Sequence, residues 1–358
     1  MLVDISLSDD AGIVEYGFAN LTRVTSVTLT EGLVNIDRYA FNNVNKLPEI
    51  VLPASVANLG EYAFTNCTSL ATITFMGDNV ETFSEGLFYN CEVLTTMLVG
   101  SETEQNKENV INVPDSVITI EDYAFFNNVS MKEIVVSDNT TSLGYAFLGG
   151  NTLLETITVP FIGATNNESE ISETTVFGHF FGKSDLAARF KNSIRAIEQI
   201  YGDGKKAAYC IPTSVKNVND TLEEVVLYGT FYNVDSIIDI TLPINVNHIY
   251  DYAFAEMNNL ETVTFVNGTG EISLAHIDAY AFNNDVKLTN FNSVEGDEFD
   301  INLPSTLLTI GEHAFENVDS ITSVIIPSSV AYQESVEVVG VYAFANNDVL
   351  ETVSINND

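Results

Sequence analysis

One short motif returns along this chain at a nearly constant interval, and that recurrence constrains the fold more than any other feature. It is an aromatic corner. It reads YGF or YAF at Phe18, Phe41, Phe64, Phe125, Phe147, Phe254, Phe282 and Phe344, and GLF, GTF or HAF at Phe88, Phe231 and Phe315. The first four corner phenylalanines lie 23, 23 and 24 residues apart. A fixed period of this size marks a solenoid, in which each unit buries its apolar side only by stacking on its neighbours. As an ordinary globular chain, 358 residues would be read as two or three domains. A solenoid instead grows by adding turns.

With each corner Phe as position zero, the other positions fall into columns. The preceding residue is Ala, and the one before that Tyr, in eight of the eleven units. Position −5 is apolar in ten, as at Ile36, Leu59 and Ile310. The Phe147 unit is one residue short there, and Leu143 takes the place. Position +6 is apolar in all eleven. Positions +9 and +11 alternate apolar residues, as in Ile50/Leu52 and Val324/Ile326, which is the period of a strand with one buried face. The Phe147 unit reaches this pattern one residue late, at Ile157/Val159. Proline then follows the strand repeatedly, as at Pro53, Pro114 and Pro304; it cannot donate to a ladder, so it ends the strand. The corner is too short for a stable α-helix and reads as one helical or 3₁₀ turn. Each unit is thus strand, crossing, short second strand, corner.

Two residues after the corner stands Asn in nine of eleven units, among them Asn43, Asn66 and Asn284. Asn offers both a donor and an acceptor and tolerates unusual backbone angles. A structural role follows: an Asn column satisfies peptide groups of neighbouring turns. The corner phenylalanines, Phe41, Phe64, Phe125, Phe254, Phe282, Phe315 and Phe344 among them, are expected to form a buried stack.

The unit LPEIVLPASVANLGEYAFTNCTSL at 47–70 resembles the BspA-like leucine-rich repeats, whose pattern is an I-x-L-P strand, an apolar pair, Y/R-A-F and then x-x-C or x-N-C. The resemblance runs over about 13–358, and the A-F corner and LP strand end recur together. One departure is that Cys follows the Asn only at Cys67 and Cys91. The resemblance implies a leucine-rich-repeat solenoid: a curved, β-rich, right-handed superhelix with a parallel sheet on one face and short strands or 3₁₀ turns elsewhere. It also implies a bacterial or protist surface protein used in attachment, hence an extracellular or cell-surface location, and no enzyme activity.

Three stretches break the period. Residues 101–109 and 293–300 are short polar insertions that read as loops. The third separates Phe147 from Phe231 by 84 residues. It divides the chain into a first array at 1–159 of about six units, an insertion at 160–216 and a second array at 217–358 of about five units, in one continuous solenoid. Large surface proteins with such repeats often carry a similar P-F-I-G … F-G-x-x-F-G … I-P-x-S-L/V-K insertion, which this stretch resembles. Here GHFFG at 178–182 brackets aromatics with glycine, and 185–201 has helical spacing through Leu186, Phe190, Ile194, Ile197 and Tyr201. An ordered helix is expected there, docked on the solenoid, with Phe180 and Phe181 turned inward.

Charge narrows the partners. The chain has 13 Lys and Arg against 50 Asp and Glu, a formal net of −37. That field repels phosphate backbones and anionic lipid, so nucleic acid and membrane surfaces are excluded as partners. Basic proteins, neutral glycans and weakly held divalent cations remain. Seven of the 13 basic residues lie within 183–216. The bland reading is that this segment packs over the repeats and neutralises nearby carboxylates. The sharper one is a partner-contact site at His179, Phe180, Phe181, Lys183, Arg189, Lys191 and Arg195. No apolar run is long enough to span a bilayer, and MLVDISLSDD lacks the basic start and apolar stretch of a signal peptide. Ordinary repeats stand at both ends, so the chain is expected to be part of a longer array or to pair at its ends.

Chemistry is hard to place here. Three cysteines make no disulfide framework, and Cys67 and Cys91, in equivalent positions of neighbouring turns, are expected to be free buried thiols. No histidine pair has metal spacing, and neither HExxH nor GxSxG occurs. No cofactor is expected. The reading is a non-enzymatic protein- or glycan-binding adhesion module. The alternatives are a structural spacer without a specific partner and, further off, a hydrolase with its site in 161–216.

Overall fold

The structure, a computed structural model, describes residues 2–5, 11–100, 107–165, 172–183, 194–201, 205–220, 224–266, 271–292, 300–331 and 339–355. The chain divides into two compact units. One holds 1–166 with 178–195 and 210–214, the other 167–177 with 196–209 and 215–358.

Both units are built on parallel sheets. In the first, Glu49–Leu52, Thr72–Phe75, Thr96–Val99, Ile111–Asn112, Glu133–Val135 and Thr156–Val159 pair in that order. In the second, the order is Asn217–Asp220, Asp239–Pro243, Thr262–Val266, Asn290–Phe291, Ile301–Asn302, Ser323–Ile326 and Thr352–Ile355. Register follows the apolar columns: Ile50 faces Ile73, which faces Met97, and Val218, Ile240, Val263 and Phe291 align likewise. A one-residue slip would turn each buried row to solvent, so the alternation specifies the pairing. Shorter parallel strands at the −6 and −5 columns form further sheets, such as Val225–Val226, His248–Ile249, His276–Ile277 and Thr309–Ile310.

The corners stack as their composition demands. Phe41, Phe64, Phe125, Phe254, Phe282 and Phe315 are fully buried. Their rings sit parallel at about the spacing of the turns: 5.3 Å for Phe41–Phe64, 4.9 Å for Phe254–Phe282, 5.0 Å for Phe282–Phe315 and 5.2 Å for Phe315–Phe344. Alanine precedes them because backbone runs along that side. The N–H of Phe41 donates to the Ala63 carbonyl at 2.8 Å, and those of Tyr39 and Asn43 donate to Glu61 and Thr65.

Two columns of every corner lie in the left-handed region. One is the Asn column, with φ of 61° at Asn43, 59° at Asn66 and 64° at Asn284. Its side chains also form a ladder, Asn43 Nδ2 donating to Asn20 Oδ1 at 2.9 Å and Asn317 Nδ2 to Asn284 Oδ1 at 2.7 Å. Where Glu256 replaces Asn, its carboxylate accepts from Asn284 Nδ2. The other is the Tyr column, at φ 56° for Tyr39, 55° for Tyr62 and 60° for Tyr280. Asn reaches these angles readily; Tyr does not, and stacking holds it there.

The Phe147 unit corrects the alignment drawn from sequence. Its left-handed residues are Ala146 and Gly150, and Phe125 N–H donates to the Phe147 carbonyl where another unit would offer its Ala. The structural corner is therefore Leu148, 23 residues after Phe125, and Phe147 occupies the alanine column. Both irregularities then vanish, since Leu143 lies at −5 and Ile157/Val159 at +9/+11. Gly144 falls at −4, where Gly60, Gly311 and Gly340 also stand and where an added Cβ would meet backbone of the previous turn within 2.6 Å.

The two short polar stretches are each followed by a strand that the repeat pattern does not contain, and the long insertion differs from expectation. The described part of 101–109 ends next to an extra strand, Ile111–Asn112, inserted between Thr96–Val99 and Glu133–Val135. Likewise Ile301–Asn302 lies between Asn290–Phe291 and Ser323–Ile326. Each interruption thus adds a sheet strand without adding a corner. Residues 101–106 and 293–299 lie outside the described residues. The helix expected over 185–201 is not formed where the chain is described: Ile194–Tyr201 is a strand paired with Lys205–Pro212. Buried Ile197, Gln199 and Ile200 rest on the 229–233 corner, with Gln199 Nε2 donating to the Thr230 carbonyl at 3.1 Å and Asn233 Nδ2 to the Glu198 carbonyl at 3.1 Å. The strand stands where a preceding turn would otherwise stack, and that need for edge hydrogen bonds overrides the helical spacing.

Candidate interaction surfaces

The aromatic run of the insertion is packing. Phe177–Phe180 is one 3₁₀ turn. His179 and Phe180 offer their carbonyls to the N–H groups of Ala146 and Leu148, so the segment acts as the next corner on the first unit. Phe180 meets Phe147 edge-on at 5.0 Å, and Phe177 packs on Phe231 at 5.4 Å within the second unit. Phe180 and Phe181 are fully buried, as expected, and His179 is 4% exposed, with Nε2 hydrogen-bonded to the Leu143 carbonyl at 3.2 Å. None of these three side chains is presented to a partner. Lys183 is half-buried; its N–H donates to the Tyr145 hydroxyl and its carbonyl accepts from Cys210 Sγ. Arg189 and Lys191 lie outside the described residues, and Arg195 stands in the strand Ile194–Tyr201. The exposed cation Lys206 pairs with Glu198 at 2.8 Å.

No catalytic grouping emerges from the other histidines. His248 and His276 sit side by side on paired strands, His248 bonded to Asp278 at 2.8 Å and His276 to Thr309 Oγ1 at 2.8 Å. His313 lies between Glu312 and Glu316 in the Tyr column. Among the described residues, no three metal-ligating side chains converge. Cys67 and Cys91 are free and buried, as expected, donating to the corner carbonyls of Phe41 and Phe64, and Cys210 is free and buried as well. Burial pushes the Cys67 thiol up to about 12 and holds that of Cys91 well above its ordinary range.

What the surface does present is an edge of tyrosines and acids. In the first unit, Tyr16, Tyr39 and Tyr62 stack at 5.0 and 5.3 Å with planes within 14° of parallel. Beside them run Glu15, Arg38, Glu61, Glu85 and Asp122 at −3, with Asp37 and Glu121 at −4. Arg38 is spent locally, pairing with Glu61 at 3.0 Å and lying over the Tyr39 ring. Burial raises the Tyr62 hydroxyl above its usual range, and its bond to Glu85 adds to this. Alongside opens a cleft of about 710 Å³ lined by Glu15, Asp37, Arg38, Asn58, Glu81 and Thr82. Sequence reasoning missed this edge. Its signal lies in the sequence, as carboxylates flanking Tyr in successive units. A second cleft, of about 340 Å³, sits at the extra strand Ile111–Asn112. No described helix is long and apolar enough to cross a membrane.

The model of the BspA type leucine-rich repeat region matches residues 2–110, 104–176, 213–296 and 299–358, most of the chain. Among solved structures, a leucine-rich repeat protein from Bacteroides ovatus aligns at 18% identity over 99% of this chain and 84% of its own, with a TM-score of 0.46. A leucine rich cell surface protein from Faecalibacterium prausnitzii aligns at 17% over 100% and 88%, with a TM-score of 0.34. No curated protein sequence matches. The family match covers both arrays, and the columns of strand, corner Phe and Asn are those the structure stacks: the chain belongs to the BspA-type leucine-rich repeat family.

Proposed function

We propose that this chain is a non-enzymatic binding module of a cell-surface protein, and that it adheres to a basic protein surface through its tyrosine–carboxylate edge. The observation that carries the reading is the row of acids along the stacked tyrosines, in a chain of net charge −37. A repeating row suits a large partner, and single-signed charge steers association with its opposite. The same geometry favours protein over glycan. A sugar is recognised on an aromatic face, and here each interior ring covers its neighbour's face, leaving edges and hydroxyls outward. An array of proteins and glycans, probed at low and high salt, tests this. Salt-sensitive capture by basic proteins, weakened by neutralising Glu61, Glu85 and Asp122, is the expected result. Capture by glycans alone would overturn the protein reading, and no capture would leave a spacer.

A further inference from the structure

Within the first unit, sheet and corners disagree about how many turns there are. Phe88 and Phe125 stack directly, with ring centroids 5.4 Å apart, and Asn127 Nδ2 donates straight to Asn90 Oδ1. On the sheet side a whole strand, Ile111–Asn112, is interposed between the strands that follow those corners. Strands stand about 4.8 Å apart, so the sheet is wedged open by that much relative to the corners. The 340 Å³ cleft lies at this wedge. Val99, Val113 and Val135 supply its apolar wall, and Asp78 and Asp115 are exposed carboxylates on it. Among the described residues neither carboxylate has an ion-pair partner. Asn112 also lines it, and its buried Nδ2 has no hydrogen-bond partner among the described residues.

The second unit offers a comparison. There the extra strand Ile301–Asn302 leads into INLP as Ile111–Asn112 leads into INVP. The acid described there is already used: Asp300 accepts from the Thr322 N–H and hydroxyl and from the Ser323 N–H. Ser305 stands where the first wedge has Asp115. Among the described residues, free acids flanking an apolar slot are thus found at the first wedge and not at the second.

We infer that this cleft takes a lysine or arginine side chain of a partner protein. The aliphatic stem lies along the three valines, and the cationic head meets Asp78 and Asp115. Long cationic side chains are suited to such a slot because stem and head want opposite surroundings. This deepens the binding-module reading and places one contact away from the tyrosine edge.

The test is a titration of the full chain with a blocked tri-lysine peptide, followed by the methyl resonances of the valines, with the same peptide acetylated on its lysines as control. Saturable shifts at Val99, Val113 and Val135 with the cationic peptide alone are expected. The D78N/D115N variant, with an unchanged thermal midpoint, should bind about tenfold more weakly, as two partly exposed ion pairs contribute. Equal binding of the acetylated peptide, equal binding by the variant, or shifts spread over every acidic face would overturn the inference. The two proposals separate: a basic protein captured equally by wild type and D78N/D115N leaves the module reading standing without this cleft. A saturable cleft with no captured protein leaves the reverse.

Discussion

Asp285 is a carboxylate in a column built for an amide. It stands three residues after its corner, where Asn151 and Asn347 stand in other units. Both asparagines do two things. Oδ1 accepts the N–H of the equivalent residue one turn back, Asn128 at 2.7 Å and Val318 at 2.6 Å. Nδ2 donates to that turn's corner carbonyl, Phe125 at 3.2 Å and Phe315 at 3.0 Å. Asp285 makes the first bond, from Met257 N–H at 2.9 Å, but its Oδ2 has no partner among the described residues. Burial drives its pKa well above the usual carboxylate range; Glu256 and Asp235 push the same way, and Met257 N–H pulls against them. A raised folded value means that the folded state binds more protons. Stability from this group is then full below the unfolded value of about 3.9 and is lost as pH rises toward the folded one. Replacing Asp285 by Asn removes the charge and supplies the missing donor. The gain at pH 8 should be about 1–3 kcal/mol, the cost of an unsatisfied buried group, and should shrink toward pH 4. Urea melts of both proteins at the two pH values measure it, and the other carboxylates cancel in the difference. A D285N variant no more stable at pH 8, or stabilised equally at both, would refute the reasoning.

Other substitutions probe the remaining columns. Phe282→Ala should cost about 3–5 kcal/mol in denaturant melts, because the ring is fully buried between Phe254 and Phe315; a loss under about 1 kcal/mol would contradict the stacking register. Asn66 has φ 59°, so Asn66→Ala should be about 1 kcal/mol more destabilising than Asn66→Gly, although Gly loses the same side-chain bonds; equal losses would leave only the hydrogen bonds to explain the column. Cys67 and Cys91 should stay unreactive to a thiol reagent at pH 8 until denaturant is added, given buried thiols with raised pKa values; rapid labelling of the folded chain would show these turns to be open.

The repeat was legible because stacking makes each column answer to the same neighbours. Phe64, Ala63 and Ile73 are buried for one reason, and that reason recurs in every unit. Reading failed where a local signal was weighed without its stacking partner. Phe147 looked like a corner because it completes YAF, yet the hydrogen bonds of Phe125 and Asn127 fix Leu148 in that role. Ile194, Ile197 and Tyr201 have helical spacing, but the chain there must offer backbone groups to the exposed side of the 229–233 corner, which a strand can do and a helix cannot. The tyrosines were legible as a column and illegible as left-handed residues, since nothing in a Tyr favours that backbone. The surface reading was weakest. Phe180 and Phe181 stand out as aromatics beside basic residues, and they are core, while the acids that line the clefts carry no motif that marks them.

Stacking also brings like charges into register, and that has a measurable cost. Tyr62 N–H bonds to the Glu85 carbonyl and Gly86 N–H to that of Asp122, so Glu61, Glu85 and Asp122 occupy equivalent places on successive turns. Carboxylates about 5 Å apart in water repel by roughly 0.8 kcal/mol per pair. Screening shortens from about 10 Å at 0.1 M salt to about 3 Å at 1 M, so most of that repulsion should disappear over this range. The thermal midpoint should therefore rise with NaCl. Glu85→Gln, which keeps an acceptor for the Tyr62 hydroxyl, should raise it at low salt and make little difference at 1 M. Calcium and magnesium chlorides at matched ionic strength should act alike, since diffuse carboxylates hold divalent cations by charge alone. A midpoint that does not move with NaCl would mean that the acids are spaced too widely to interact. A rise with calcium that magnesium fails to reproduce would mean that some of them form a shaped site.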